Sequence, residues 1–187
     1  MQFEDRASWR AWLEEHHVRS PGIWLVTWKK ASGRPVLAYE DLVEEALCFG
    51  WVDSQAGRVD DERTRLLLTP RKKGSGWSRP NKVRWARLTE AGLTRPAGEA
   101  VVEAARADGS WSLLDDVEDL IVPDDLAAAF DRHPGSREQW DAFPRSPRRA
   151  ILEWIVLAKR PANREKRIEE TASLAARGIR ANQWPRT

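Results

Sequence analysis

Apolar positions recur at helical spacing near the N-terminus, where Trp9, Trp12, Leu13 and His16 fall on one face. Asp5 precedes them and can accept hydrogen bonds from the first free amides of a helix. Pro21-Gly22 breaks this pattern, and Ile23-Trp24-Leu25-Val26-Thr27-Trp28 follows as a strand rich in aromatic and β-branched residues. Both faces of that strand are apolar, which predicts a central place in its sheet. Lys29 to Pro35 reads as a loop. From Tyr39 to Phe49 a second helix turns Tyr39, Leu42, Val43, Ala46 and Leu47 inward and Glu40, Asp41, Glu44 and Glu45 to solvent, and Gly50 stops it.

Two antiparallel strands are expected next, Trp51 to Val59 and Arg63 to Thr69, joined by the polar turn Asp60-Asp61-Glu62. Pro70 ends the second, since proline has no ladder donor. Arg71 to Gly76 is a basic, glycine-containing loop, expected to fold back beside the run Ala46 to Asp53. Ser78 is expected to cap a helix from Arg79 to Ala91, and Thr94 one that ends at Gly109. Asp108, Asp115, Asp116, Glu118, Asp119, Asp124 and Asp125 then occur with no basic residue between Arg106 and Arg132, and Ser110 to Val122 reads as an acidic linker with some packing. Everything beyond is helical: Pro123 to Arg132, a capping-box pattern at Ser136 to Gln139, a helix from Ser146-Pro147 through Arg160, and a last one from Pro161 through Arg177 stopped by Gly178. The fold class is therefore α+β: a small antiparallel sheet packed with helices in residues 1–109, a linker at 110–122, and an all-helical module in residues 123–187.

Composition narrows the chemistry. A chain of 187 residues, 41% hydrophobic, can bury a core without staples. Its single cysteine excludes an intrachain disulfide, and with three histidines it argues against a structural zinc cage; no motif calls for a cofactor. The polar start, Met1-Gln2-Phe3-Glu4-Asp5-Arg6, does not read as an export signal, and no run is long enough to span a membrane, so a cytoplasmic location is expected. The net charge is only +2, so any anion binding must come from how charge is distributed.

Local charge is concentrated between residues 71 and 87. Arg71, Lys72, Lys73, Arg79, Lys82, Arg84 and Arg87 meet no acid before Glu90 and alternate with Trp77 and Trp85, a pattern suited to a phosphate, a carboxylate or a nucleic-acid backbone. The segment lacks the Gly-Lys-Ser/Thr ending of a phosphate loop, so nucleotide hydrolysis is not supported. Cys48 falls at a helix C-terminus between Leu47 and Phe49, the wrong end for a reactive thiolate, and reads as a packed cysteine. Asp53 could meet Arg71, Arg63 or Lys73, either as a structural ion pair or as a ligand-orienting carboxylate or base. A second basic set, from Arg145 to Arg167, alternates with glutamates and reads as helix-surface pairing. Trp184 is either exposed or pins the C-terminal tail.

These motifs together resemble the YdeI/OmpD-associated family, also labelled bacteriocin-protection proteins, over nearly the whole chain. The residues that carry the likeness are Glu45 to Asp53, Thr69-Pro70-Arg71 with Trp77-Ser78 and Asn81, Thr94 to Gly98, and Ala158-Lys159-Arg160-Pro161 with Arg164 and Arg167. The family commonly continues the tryptophan-hydrophobic-aspartate motif with glycine, where this chain has Ser54. The resemblance implies an α+β domain followed by the family's helical module and a role in tolerating bacteriocins, cationic antimicrobial peptides or related stress. It carries over no catalytic residues. The leading reading is a non-enzymatic binding protein whose site is lined by Trp51, Asp53, Arg71, Lys73, Trp77, Ser78 and Asn81, with an anionic small molecule or an acidic protein segment as ligand. The rivals are a nucleic-acid-binding protein using Arg71 to Arg87 and an enzyme with Asp53 as base.

Overall fold

Asp5 starts the first helix as its sequence predicts: its Oδ1 accepts from the Ser8 amide at 2.8 Å, and the Ser8 hydroxyl closes a reciprocal box. The computed structural model describes residues 1–183, so the expectation for Trp184 lies outside the described residues. Among them the order is α1 (Arg6–His16), β1 (Ile23–Trp28), a 3-10 turn, α2 (Tyr39–Cys48), β2 (Trp51–Arg58), β3 (Arg63–Pro70), α3 (Arg79–Glu90), α4 (Pro96–Ala107), α5 (Asp115–Glu118), α6 (Asp124–Arg132), α7 (Ser136–Ala142), α8 (Arg145–Val156) and α9 (Pro161–Ala175). The fold is α+β, and the chain divides into two units, Met1–Ser112 and Leu113–Thr187.

In the first unit the sheet is antiparallel with order β1-β3-β2, so β3 is central and β1 lies towards an edge, contrary to the expectation from its two apolar faces. Leu25, Leu66, Leu68 and Trp51, on the inner face, join the core with α1 and α2, and Ile23 packs against it. The outward tryptophans of β1 are covered by arginine side chains instead of a second layer. Pro70 is not outside the sheet but pairs with Trp51, and the Arg71 amide continues the ladder to Gly50 O at 2.9 Å. Gly50 leaves α2 at φ +73°, as a helix-ending glycine should. Gly98 lets α4 approach that same corner: a Cβ there would sit 2.4 Å from the Cys48 carbonyl oxygen.

Glu45 departs from its predicted solvent position. It is 1% exposed, and its two oxygens accept from Arg6 Nε at 2.6 Å and Arg10 Nη1 at 2.7 Å. Helical periodicity places it correctly beside α1; its charge had suggested water, but two arginines of the facing helix replace that hydration.

The second unit packs α6, α7 and α8 against α9 around Leu126, Phe130, Trp140, Ile151 and Ile155. Residues 110–122, expected as a linker, supply Trp111 to the first core and Leu114 and Val117 to the second. Glu118 is buried against Arg149 at 2.8 Å. Surface pairing among the later basic residues includes Arg149 with Glu153 and Arg164 with Asp125. Ser136 does not cap α7. Gly135 holds the N-cap position at φ +79°, and the Ser136 hydroxyl donates to Phe130 O at 3.1 Å. Gly178, at φ +66°, closes the turn after α9.

Candidate functional site

The end of β3 feeds directly into the loop that holds the strongest candidate. Arg71 Nη2 donates to Gly76 O at 2.7 Å, which closes the loop on itself. The guanidinium lies 4.0 Å over the Trp77 ring, and Trp77 in turn rests on Trp111 at 4.9 Å between ring centres. Arg71, Lys73 and Trp77, with Asp108 and the α4 residues Val101 and Ala104, line a cavity of about 220 Å³. Trp77 is 1% exposed, and its indole N–H has no acceptor among the described residues; neither do Nε and Nη1 of Arg71. Three of the five guanidinium N–H groups are thus buried without a partner. Burial pushes the Arg71 pKa down to about 10, while the charge of Asp53 works in the opposite direction. Across the cavity, Asp108 is held below its usual carboxylate range by hydrogen bonds from Ser110, with a further contribution from Lys73.

The other predicted residues go elsewhere. Trp51 is core: its indole N–H donates to His17 O at 3.2 Å, and its ring meets Trp12 edge-on. Asp53 forms no ion pair with Arg63 or Lys73. Its Oδ2 accepts from the Tyr39 hydroxyl at 2.8 Å, while Arg63 pairs with Asp60 in the hairpin turn. Burial, and then the bond to Asp53, push the Tyr39 phenol up to about 12. Asn81 is buried on α3 and accepts from Arg84 Nη1 at 2.9 Å. Ser78 occupies the N-cap position of α3 without making a side-chain capping bond. Likewise Arg95, not Thr94, is the N-cap of α4, and the Thr94 hydroxyl donates to Glu99 at 2.6 Å.

Two groups therefore replace the single expected site, linked by the field of Asp53 on Arg71. One is the Arg71, Lys73 and Trp77 cavity. The other is a pair of hydrogen bonds, Tyr39 to Asp53 and Arg84 to Asn81, joined by the Arg84 guanidinium lying 5.8 Å over the Tyr39 ring. Sequence reading missed Tyr39 and Asp108, because the first sat on a predicted apolar stripe and the second in an acidic tract. Arg84 was expected as part of a basic array, but it donates to Glu40 at 2.8 Å, and Arg87 bonds both Glu40 and Glu44. These two cations face acids of α2. Cys48 is buried, and desolvation lifts its thiol pKa to about 11, which suits a packed cysteine.

The architecture and cavity define an α+β unit joined to a helical one, with a cation-lined pocket in the first. Residues 1–101 match the family model of a domain of unknown function (DUF8412), and the chain belongs to that family. Residues 119–178 match the model described as Bacteriocin-protection, YdeI or OmpD-Associated. The motifs from Glu45 to Gly98 lie within the first match, and Ala158 to Pro161 with Arg164 and Arg167 lie within the second. No curated protein and no solved structure matches the chain. Among the described residues no helix is long and apolar enough to cross a membrane, and no group of three or more His, Cys, Asp or Glu residues is placed to hold a metal ion.

Proposed function

We propose that the first unit is a binding module for an anionic ligand, a small carboxylate or phosphate or the acidic side chain of a protein segment, received by Arg71. The supporting observation is the set of buried guanidinium N–H groups on Nε and Nη1 that have no acceptor among the described residues, on an arginine that lines a cavity. Native proteins satisfy nearly all buried donors, and a small turn of the guanidinium towards the cavity would let an oxyanion supply acceptors for these. Trp77 forms the floor under the guanidinium, and Lys73 adds positive charge at the rim. The charge of Asp53 favours the charged arginine, and Tyr39 orients that carboxylate. A role in tolerance of bacteriocins, antimicrobial peptides or related stress, in keeping with the description of the helical region's family, would be exercised through such binding.

Titration with inorganic phosphate and with acetate, followed by tryptophan emission, tests this reading. A saturable change is expected, and it should vanish in Arg71→Ala and in Trp77→Phe. No response in the native chain, or an equal response in Arg71→Ala, removes the proposal.

A further inference from the structure

The sheet has a second face that the anion site does not use. Strand register puts Leu25, Leu66, Leu68, Trp51 and Asp53 inward, so Trp24, Val26, Trp28, Arg63, Arg65 and Leu67 point outward. None of these six belongs to the core of the first unit. The Arg65 guanidinium carbon lies 4.4 Å from the centre of the Trp24 ring, and those of Arg34 and Arg63 lie 4.5 Å and 5.5 Å from Trp28. Gly57 pairs with Arg65 on the neighbouring strand, and a Cβ there would come 3.2 Å from Arg65 Nε, so glycine leaves room for the arginine to lie flat. At the other end an open cleft of about 540 Å³, lined by Val52, Leu67, Thr69 and Lys72, continues the surface.

Charge on this face has one sign. The three strands contain a single acid, Asp53, which is turned inward to Tyr39. At the hairpin end Asp60 pairs with Arg63 at 2.6 Å, and the charge of Glu62 also acts on that arginine. Trp24 and Trp28 stand four residues apart on one strand, about 13 Å, far enough for each to receive its own flat group once the arginine over it, Arg65 or Arg34, turns to a phosphate. An acidic peptide would engage the arginines but has no planar groups for two separate aromatic positions. A chain of bases on a phosphate backbone has both, since any base can stack on an aromatic ring or a guanidinium plane.

We propose that the outward face of the sheet binds single-stranded nucleic acid, with Trp24 and Trp28 as stacking positions and Arg34, Arg65 and Lys72 taking the backbone. Apart from Lys72, which lines both this cleft and the Arg71 cavity, this surface is distinct from the segment between Arg71 and Arg87, in which Arg84 and Arg87 face acids of α2.

Fluorescence anisotropy of the full chain with labelled single-stranded RNA and DNA of mixed sequence tests it. Three phosphate contacts predict a slope of log K against log salt of about −2, at about 0.7 per phosphate on a single strand. Arg65→Glu should weaken binding by about tenfold or more, and Trp24→Leu should weaken it while leaving the salt slope unchanged. Arg65→Lys retains the charge and should lose affinity without losing slope. Arg71→Met should bind nucleic acid like the native chain, which separates this surface from the anion site. Circular dichroism checks that each variant is folded. Absence of binding at low salt, a duplex bound as tightly as a single strand, competition by an aspartate-rich peptide at equal charge concentration, or a folded Arg65→Glu variant with unchanged affinity would each overturn the proposal.

Discussion

Replacing Arg71 with methionine separates a ligand-binding arginine from a structural one. With its pKa pushed from the ordinary arginine value down to about 10, the buried guanidinium loses roughly 3 kcal/mol of preference for the charged form, at about 1.4 kcal/mol per pKa unit. That penalty opposes folding throughout the neutral range and fades only as pH rises above about 10 towards the ordinary arginine value, because the folded-state pKa is the lower one. Against it stand the charged bond to Gly76, worth roughly 2 kcal/mol, and the contact with Trp77, worth roughly 1. The two sides nearly cancel. Methionine keeps an apolar contact with the indole and removes the unsatisfied donors, so Arg71→Met should change the stability of the ligand-free protein by less than about 1 kcal/mol. Inorganic phosphate at about a hundred times its dissociation constant should stabilise the native chain by about 2.7 kcal/mol and leave the variant unmoved. Thermal melts with and without phosphate measure both effects. A ligand-free loss of more than about 2 kcal/mol, or equal stabilisation of both proteins by phosphate, would refute the reasoning.

Other sites give independent expectations. Glu45→Gln leaves Arg6 and Arg10 facing a neutral amide in a buried position, and urea unfolding should show a loss of about 2–4 kcal/mol. Gly98→Ala drives a methyl into the Cys48 carbonyl; α4 must shift, and a destabilisation of at least about 2 kcal/mol should appear in the same assay. The chain has one tyrosine, so ultraviolet difference absorbance should show a single phenol titrating at about 12. Because that folded-state pKa is raised, the stabilisation it represents is complete below the ordinary phenol value near 10 and is lost as pH climbs through about 12. In Asp53→Asn the midpoint should fall only part of the way back, since burial is the larger cause.

Legibility differed between elements for physical reasons. The apolar stripe of α1, the glycine stops at Gly50 and Gly178 and the hairpin around Asp60 are local signals, and each appears where its residues place it. The capping serines did not behave that way. Ser78 and Ser136 lie beside helix starts, yet neither side chain makes the expected bond, and Ser136 finds the Phe130 carbonyl instead. In the candidate site, Arg71, Lys73 and Trp77 were readable because they are close in sequence and share one loop. Tyr39 was not, because its bond to Asp53 spans a helix and a turn, and no spacing rule connects the two residues.

By itself, then, the sequence determined the kinds and order of the strands and of every helix but α5, the α+β class and the place where positive charge gathers. Those follow from periodicity, turn chemistry and composition, which act over a few residues. Tertiary structure alone decided which strand became central, that Glu45 would be buried between two arginines, that Arg84 and Arg87 would face acids, and that Arg71 would keep buried donors without acceptors. Such outcomes depend on which distant groups replace water around a charge or an amide, and that is fixed only when the surfaces meet.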